Sequence, residues 1–168
     1  SFKFKIRGRM NIVLVVSGWP NKFEPARSVF NVDHALALKD KGFQVKVVFL
    51  RAYLPFRKII EISEEKGIII ERLNILFPVV NFKIKYLLAS LFIKLFYKIG
   101  KEKIDIIHGI GGHTAVVANI LSKMIKVKFL LHYIGGDLNS DFEELLKGKL
   151  FKRALIECSY HGFESKAL

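Results

Sequence analysis

Six short runs of mostly apolar residues recur along this chain with segments of helical spacing between them, and that alternation limits its fold more than any other feature. The first run, Asn11 to Ser17 (Asn-Ile-Val-Leu-Val-Val-Ser), is nearly all apolar and β-branched, as suits a strand covered on both faces in a parallel sheet. The others fall at about Gln44 to Leu50, Ile68 to Arg72, Ile104 to His108, Val127 to His132 and Ala154 to Cys158. Between them, helices are predicted over about Ser28 to Lys41, Phe82 to Lys101, Gly112 to Met124 and Asp141 to Leu150, and the last residues begin another. In the first helix Val29, Val32, Ala35 and Leu36 share one stripe, and Gly42 ends it. The stretch before Ile68 reads as a loop with one helical turn. Strands alternating with helices imply βαβ units and right-handed crossovers, hence an open α/β sandwich with a mostly parallel sheet.

A chain of 168 residues fits one domain with a continuous core that needs neither disulfides nor a structural metal. Apolar residues make up 51 % and charged residues 26 %, which excludes a disordered or collagen-like chain. The formal charge of +13 favours an anionic partner such as nucleic acid, a phosphorylated ligand or lipid head groups, or else solvates an Ile- and Leu-rich domain. The single cysteine, Cys158, excludes an internal disulfide and points to a reducing, cytoplasmic compartment. Residues 1–9 are basic but lack the apolar stretch of a signal peptide, so they read as a leader or remnant before a domain spanning 10–168, with Met10 a natural start. No uninterrupted apolar run reaches the roughly 18 residues that span a bilayer.

In an open parallel sheet, ligands bind beyond the carboxyl ends of the strands, which directs attention to the loops that follow them. Three are candidates: Ser17-Gly18-Trp19-Pro20 with the following Arg27 and Ser28, His108 to Thr114 with Gly111, Gly112 and His113, and Tyr133 to Asn139 with Gly135, Gly136 and Asp137. Gly111 and Gly112 either bring an anion close to helix amides or only permit a tight turn. Asp137 either takes a sugar hydroxyl or caps the next helix. The second loop has Thr114 where a dinucleotide fingerprint needs its third glycine, and Leu50-Arg51 offers no acid for a ribose, which argues against a nicotinamide enzyme. Strand ends could gather His108, His113 and His132, but only Asp137 adds a carboxylate, so the expectation is no metal and hydrogen-bonding histidines.

The order and spacing of several segments resemble the retaining family 4 glycosyltransferases of GT-B architecture. They are Asn11-Ile12-Val13, Ser28-Val29-Phe30 leading to His34-Ala35-Leu36-Ala37-Leu38, Lys41 to Val48, Asp105-Ile106-Ile107-His108-Gly109, Ile134-Gly135-Gly136-Asp137, and Arg153-Ala154 to Ser159. The resemblance implies a Rossmann-like three-layer sandwich forming the amino-terminal, acceptor-side half of a two-domain enzyme whose donor-binding carboxyl-terminal half is absent. It implies transfer of a sugar from a nucleotide sugar to a glycan or glycolipid acceptor, with retention, in polysaccharide biosynthesis. No cofactor, metal or nucleic-acid partner is implied, and the 168-residue piece alone is expected to be inactive. Asp137 and His108 then stand as catalytic candidates. Gly18, Trp19, Arg27, Ser28, Gly111, Gly112, His113, Gly135 and Gly136 stand as acceptor or donor-phosphate contacts. Two departures matter: Arg27-Ser28 occupies a place where the family often has glycine, and Ile134 replaces the histidine of the family's His-Gly-Ser-Asp turn.

The Phe82 to Lys101 segment places Lys83, Ser90, Lys94, Lys98 and Lys101 on one face and has apolar residues to spare. It is either a buried crossover helix with a solvated lysine edge or an attachment to an anionic membrane on its inner face. The competing functional class is a stand-alone α/β binding or regulatory module for a nucleotide or anionic ligand.

Overall fold

The computed structural model describes residues 10–52, 54–76, 82–96, 103–133 and 149–163. Strand β1 (Asn11–Val16) pairs in parallel with β2 (Gln44–Ala52) on one side and β5 (Ile106–Ile110) on the other. Because successive side chains point to opposite faces, Val13 and Val15 enter one core while Ile12, Leu14 and Val16 enter a second. A strand buried on both faces has no use for polar residues, which is why the run is so uniformly apolar.

Outward from β2 lie β4 (Ile68–Leu76), parallel, and β3 (Ile60–Glu65), antiparallel; outward from β5 lie β6 (Lys128–Tyr133) and β7 (Tyr160–Phe163), both parallel. The sheet order among the described residues is β3-β4-β2-β1-β5-β6-β7. Helix α1 (Val29–Asp40) covers one face, with Ala35 packed among Leu14, Val16, Val47 and Ile70. Helices α2 (Phe82–Phe96), α3 (Gly112–Ile125) and α4 (Lys149–Glu157) cover the other, with Ala89, Ile93, Val117, Leu121 and Ala154 in a single core with Ile107 and Leu131. This is the expected three-layer α/β sandwich.

The structure corrects three expectations. Residues Ile60–Glu65 form β3, hairpinned to β4 through Lys66 and Gly67, both at positive φ, as a two-residue turn of matching twist needs. Ala154 to Glu157 is the end of α4, not a strand, and β7 follows it where a helix is expected. Ala154 is buried against α3, and Arg153 pairs with Glu157 at 2.9 Å one turn away, so the local pairing is helical. In α2, Ser90 does not share an exposed lysine face: it is buried and its hydroxyl donates to the Tyr86 carbonyl at 2.8 Å. The expected Asp141 to Leu150 helix lies outside the described residues up to 148, as does the segment after Phe96 that includes Lys98 and Lys101.

Candidate acceptor cleft and a buried imidazole cluster

At the carboxyl-terminal rim of β1, β2 and β4 opens a cleft of about 800 Å³ whose lining includes Ser17, Trp19, Arg27, Arg51, Tyr86 and His113. The β1 loop that borders it is fixed from two directions. Trp19, 1 % exposed, donates its indole N–H to Glu65 Oε2 on β3 at 2.9 Å, and Asn31 on α1 donates to the Gly18 carbonyl at 2.7 Å. Gly18 has no room for a side chain, because a Cβ there would lie 2.1 Å from the Ser28 hydroxyl. Ser28 itself sits in the left-handed region at φ 54 as the first cap of α1 and makes no side-chain cap bond. Arg27 is exposed and paired with Glu24 at 2.9 Å.

The cations of the far wall are held by β3 and β4, elements that the chain pattern did not fully disclose. Arg51 Nε donates to the buried Asn74 at 2.8 Å and its Nη2 to Glu61 at 2.7 Å. Arg72, which also lines the cleft, contacts Glu65 at 2.5 Å and donates to the Ser63 hydroxyl. Burial disfavours the charge of Glu65, but bonds from Arg72 and Trp19 outweigh it and hold its carboxyl below the usual range. The signal that could have found β3 is the alternation Ile60-Glu61-Ile62-Ser63 leading to Lys66-Gly67.

On the near wall, Gly111 at φ 93 turns the chain from β5 into α3, and Thr114 donates to the Ile110 carbonyl at 2.6 Å. Gly111 and Gly112 are buried, whereas His113 is exposed at the start of α3. Its Nδ1 meets the Tyr86 hydroxyl. Burial pushes that phenol up to about 12, so it stays protonated near neutral pH. Gly135, Gly136 and Asp137 lie outside the described residues.

His108 is not among the residues lining this cleft. It is 4 % exposed and points from β5 toward α1, where His34 and His132 join it. The grouping expected from the sequence, His108 with His113 and His132, is therefore split, because α3 carries His113 over the opposite face of the sheet. His34 takes its place. The ring centroids lie 4.8 Å (His34 to His108), 5.1 Å (His34 to His132) and 5.9 Å (His108 to His132) apart. Burial first, then the neighbouring His34 and His132, drives the His108 imidazole down to about 3, and burial likewise lowers His34. Both rings are neutral near pH 7. Among the described residues the His108 Nε2 has no hydrogen-bond partner, a situation that costs about 1–3 kcal/mol when a buried polar atom stays unsatisfied.

No protein-family model matches the chain, and no curated protein matches it significantly. Solved structures do resemble it. Against sucrose-phosphate synthase from Thermosynechococcus elongatus the TM-score is 0.61 at 15 % identity, covering 91 % of this chain and 42 % of that one. A shorter form of the same protein gives 0.61 at 16 % identity, with 94 % and 77 % covered. Against the E. coli trehalose-6-phosphate synthase bound with UDP-2-fluoro glucose it is 0.55 at 12 % identity, with 93 % and 40 % covered. These neighbours are GT-B glycosyltransferases. The fold is a Rossmann-like α/β sandwich with a mostly parallel sheet, matching part of the GT-B fold of these neighbours. The chain spans about two-fifths of the length of the longer sucrose-phosphate synthase form and of the E. coli protein.

Proposed function

We propose that this chain is the acceptor-side domain of a glycosyltransferase that moves a sugar from a nucleotide-sugar donor to an acceptor. The observation that carries it is the arginine-bearing cleft at the carboxyl-terminal rim of a GT-B-type sheet. Arg51 and Arg72, already aligned by Glu61, Asn74 and Glu65, keep spare N–H donors for acceptor oxygens without needing to be ordered on binding. His113, exposed at the amino end of α3 and held by its contact with the Tyr86 hydroxyl, is placed to hydrogen-bond an acceptor or donor oxygen. Retention at the anomeric carbon, a role for Asp137 and a donor-binding second domain follow from the family 4 resemblance, as does the inactivity of this piece alone.

A second element supports a lipid-linked or surface-bound acceptor. Helix α2 buries Tyr86, Ala89, Ser90 and Ile93 while Ile84, Leu87, Leu88, Leu91 and Leu95 face outward, and the chain carries a charge of +13. An aliphatic row on a strongly basic protein fits an anionic membrane surface. Among the described residues no helix is long and apolar enough to cross a membrane.

The test is nucleotide release by the full-length protein across a panel of UDP-, GDP- and ADP-sugars. At least one should be turned over, and His113→Ala should lower kcat/KM about tenfold or more while leaving the unfolding midpoint unchanged. Silence across the panel would overturn the proposal.

A further inference from the structure

Three histidines with no role in the cleft meet beneath α1, and nothing in the packing of an α/β sandwich requires them there. An aliphatic trio would fill the same space, as it does elsewhere on this face around Leu14, Val47 and Ile70. We propose that His34, His108 and His132 bind one divalent transition-metal ion, zinc being the best match, and that the ion clamps α1 to β5 and β6. This inference goes beyond the transferase reading and holds whether or not that reading does.

Each ligand comes from a different element, and the topology dictates their meeting. His108 pairs with Leu130, and His132 with Ile110, so both imidazoles emerge on the α1 face of adjacent strands, two residues apart along the sheet. His34 descends from α1 between them, edge-on to both rings. One ligand nitrogen from each ring lies within 4.8 Å of the others. His34 Nε2 and His108 Nδ1 are 3.4 Å apart. Two nitrogens bound to one zinc at about 2.1 Å with a tetrahedral angle are separated by roughly 3.4 Å, so this pair already stands at ligand spacing. The widest pair must close by roughly 1.4 Å to reach it, within the swing of a half-exposed imidazole such as His34.

A hydrogen bond shared between His34 and His108 would explain their contact without an ion. It does not explain why a third imidazole, His132, completes the triangle. An all-imidazole set, with no carboxylate in it among the described residues, suits zinc, copper, nickel or cobalt and not magnesium or calcium, which prefer oxygen ligands. Three protein ligands leave a fourth tetrahedral position, which water or an anion would complete.

Titrating metal-stripped protein with cobalt(II) and then zinc(II) tests the site. Cobalt should give the visible bands of a four-coordinate nitrogen and oxygen site, saturate at one equivalent and be displaced by zinc, with magnesium giving nothing. Binding should weaken at least about 100-fold in His34→Gln and in His132→Gln, since even outer-shell partners cost about 10- to 100-fold. His161→Gln, away from the cluster, should bind as the native protein does. Circular dichroism establishes that each variant is folded, and His34→Gln, on a half-exposed helix position, decides the matter if His132→Gln is not. Absence of saturable cobalt bands, bands that persist in a folded His34→Gln, or sulfur-to-metal bands that vanish in Cys158→Ser would each overturn the proposal.

Discussion

Helices α1 and α2 lie on opposite faces of the sheet, and they differ in what each buries and in what each turns outward. Helix α1 buries Asn31 and Ala35, half-buries His34, and presents Asp33, Lys39 and Asp40 to water. Helix α2 buries Tyr86, Ala89, Ser90 and Ile93 and presents a row of leucines and isoleucine instead. Under α1 three imidazoles from distant elements gather beside the buried Asn31; under α2 the Ser90 hydroxyl turns back to the Tyr86 carbonyl of its own helix. Polarity kept inside α1, and hydrophobicity kept outside α2, both work against the stability of the isolated chain. The difference marks the two places on which the proposals rest: the imidazole cluster under α1 and the aliphatic row over α2.

The comparison can be broken at its strongest point by Ile93→Ala, which leaves a cavity between α2 and the sheet. Its cost should be about 2–5 kcal/mol in urea unfolding, and a loss below 1 kcal/mol would mean that α2 packs loosely on both sides. On the outer side of α2, replacing Leu87 and Leu95 together by serine should change stability by less than about 1 kcal/mol. It should weaken co-sedimentation with anionic vesicles at low salt about tenfold or more. Failure of the native protein to co-sediment would remove the membrane surface from the proposal.

The smallest effect concerns how α4 is fastened to this layer. Burial disfavours the Glu157 charge, yet bonds from Lys123, Asn119 and Arg153 outweigh it and hold the carboxyl at about 2, below its unfolded value near 4.5. A depressed carboxylate stabilises the fold above pH 4.5 and loses that contribution as pH falls toward 2. Glu157→Gln should therefore cost about 1 kcal/mol at pH 7, after allowance for solvent screening. The difference from the native protein should fade in urea titrations between pH 4.5 and pH 2. A gap that persists to the acid end would assign the effect to packing.

Much of this architecture was legible in the residues because the central strands leave no alternative. Asn11–Val16 and Ile106–Ile110 are buried on both faces, and a β-branched run of that length between glycine turns has few other places to go. The periphery was harder. Ala154 to Cys158 is apolar enough for a strand, and periodicity cannot separate that from a buried helix end; packing on α3 and the Arg153 to Glu157 pair decided it. The β3 hairpin carried a readable sign in Lys66-Gly67, but its function in aligning Arg51 and Arg72 depends on a register visible only across strands. Trp19 and Arg27 do border the cleft, one as a buried anchor and the other as an exposed cation already paired.

By itself the sequence determined the layers and the mostly parallel sheet, because local periodicity and chain chirality suffice for those. Only the tertiary structure decided which histidines meet. His34, His108 and His132 are separated by 74 and 24 positions, and their encounter depends on which face each crossover helix takes and on the one-residue registers of two strand pairs. Such contacts are set by global topology, and no window along the chain contains them.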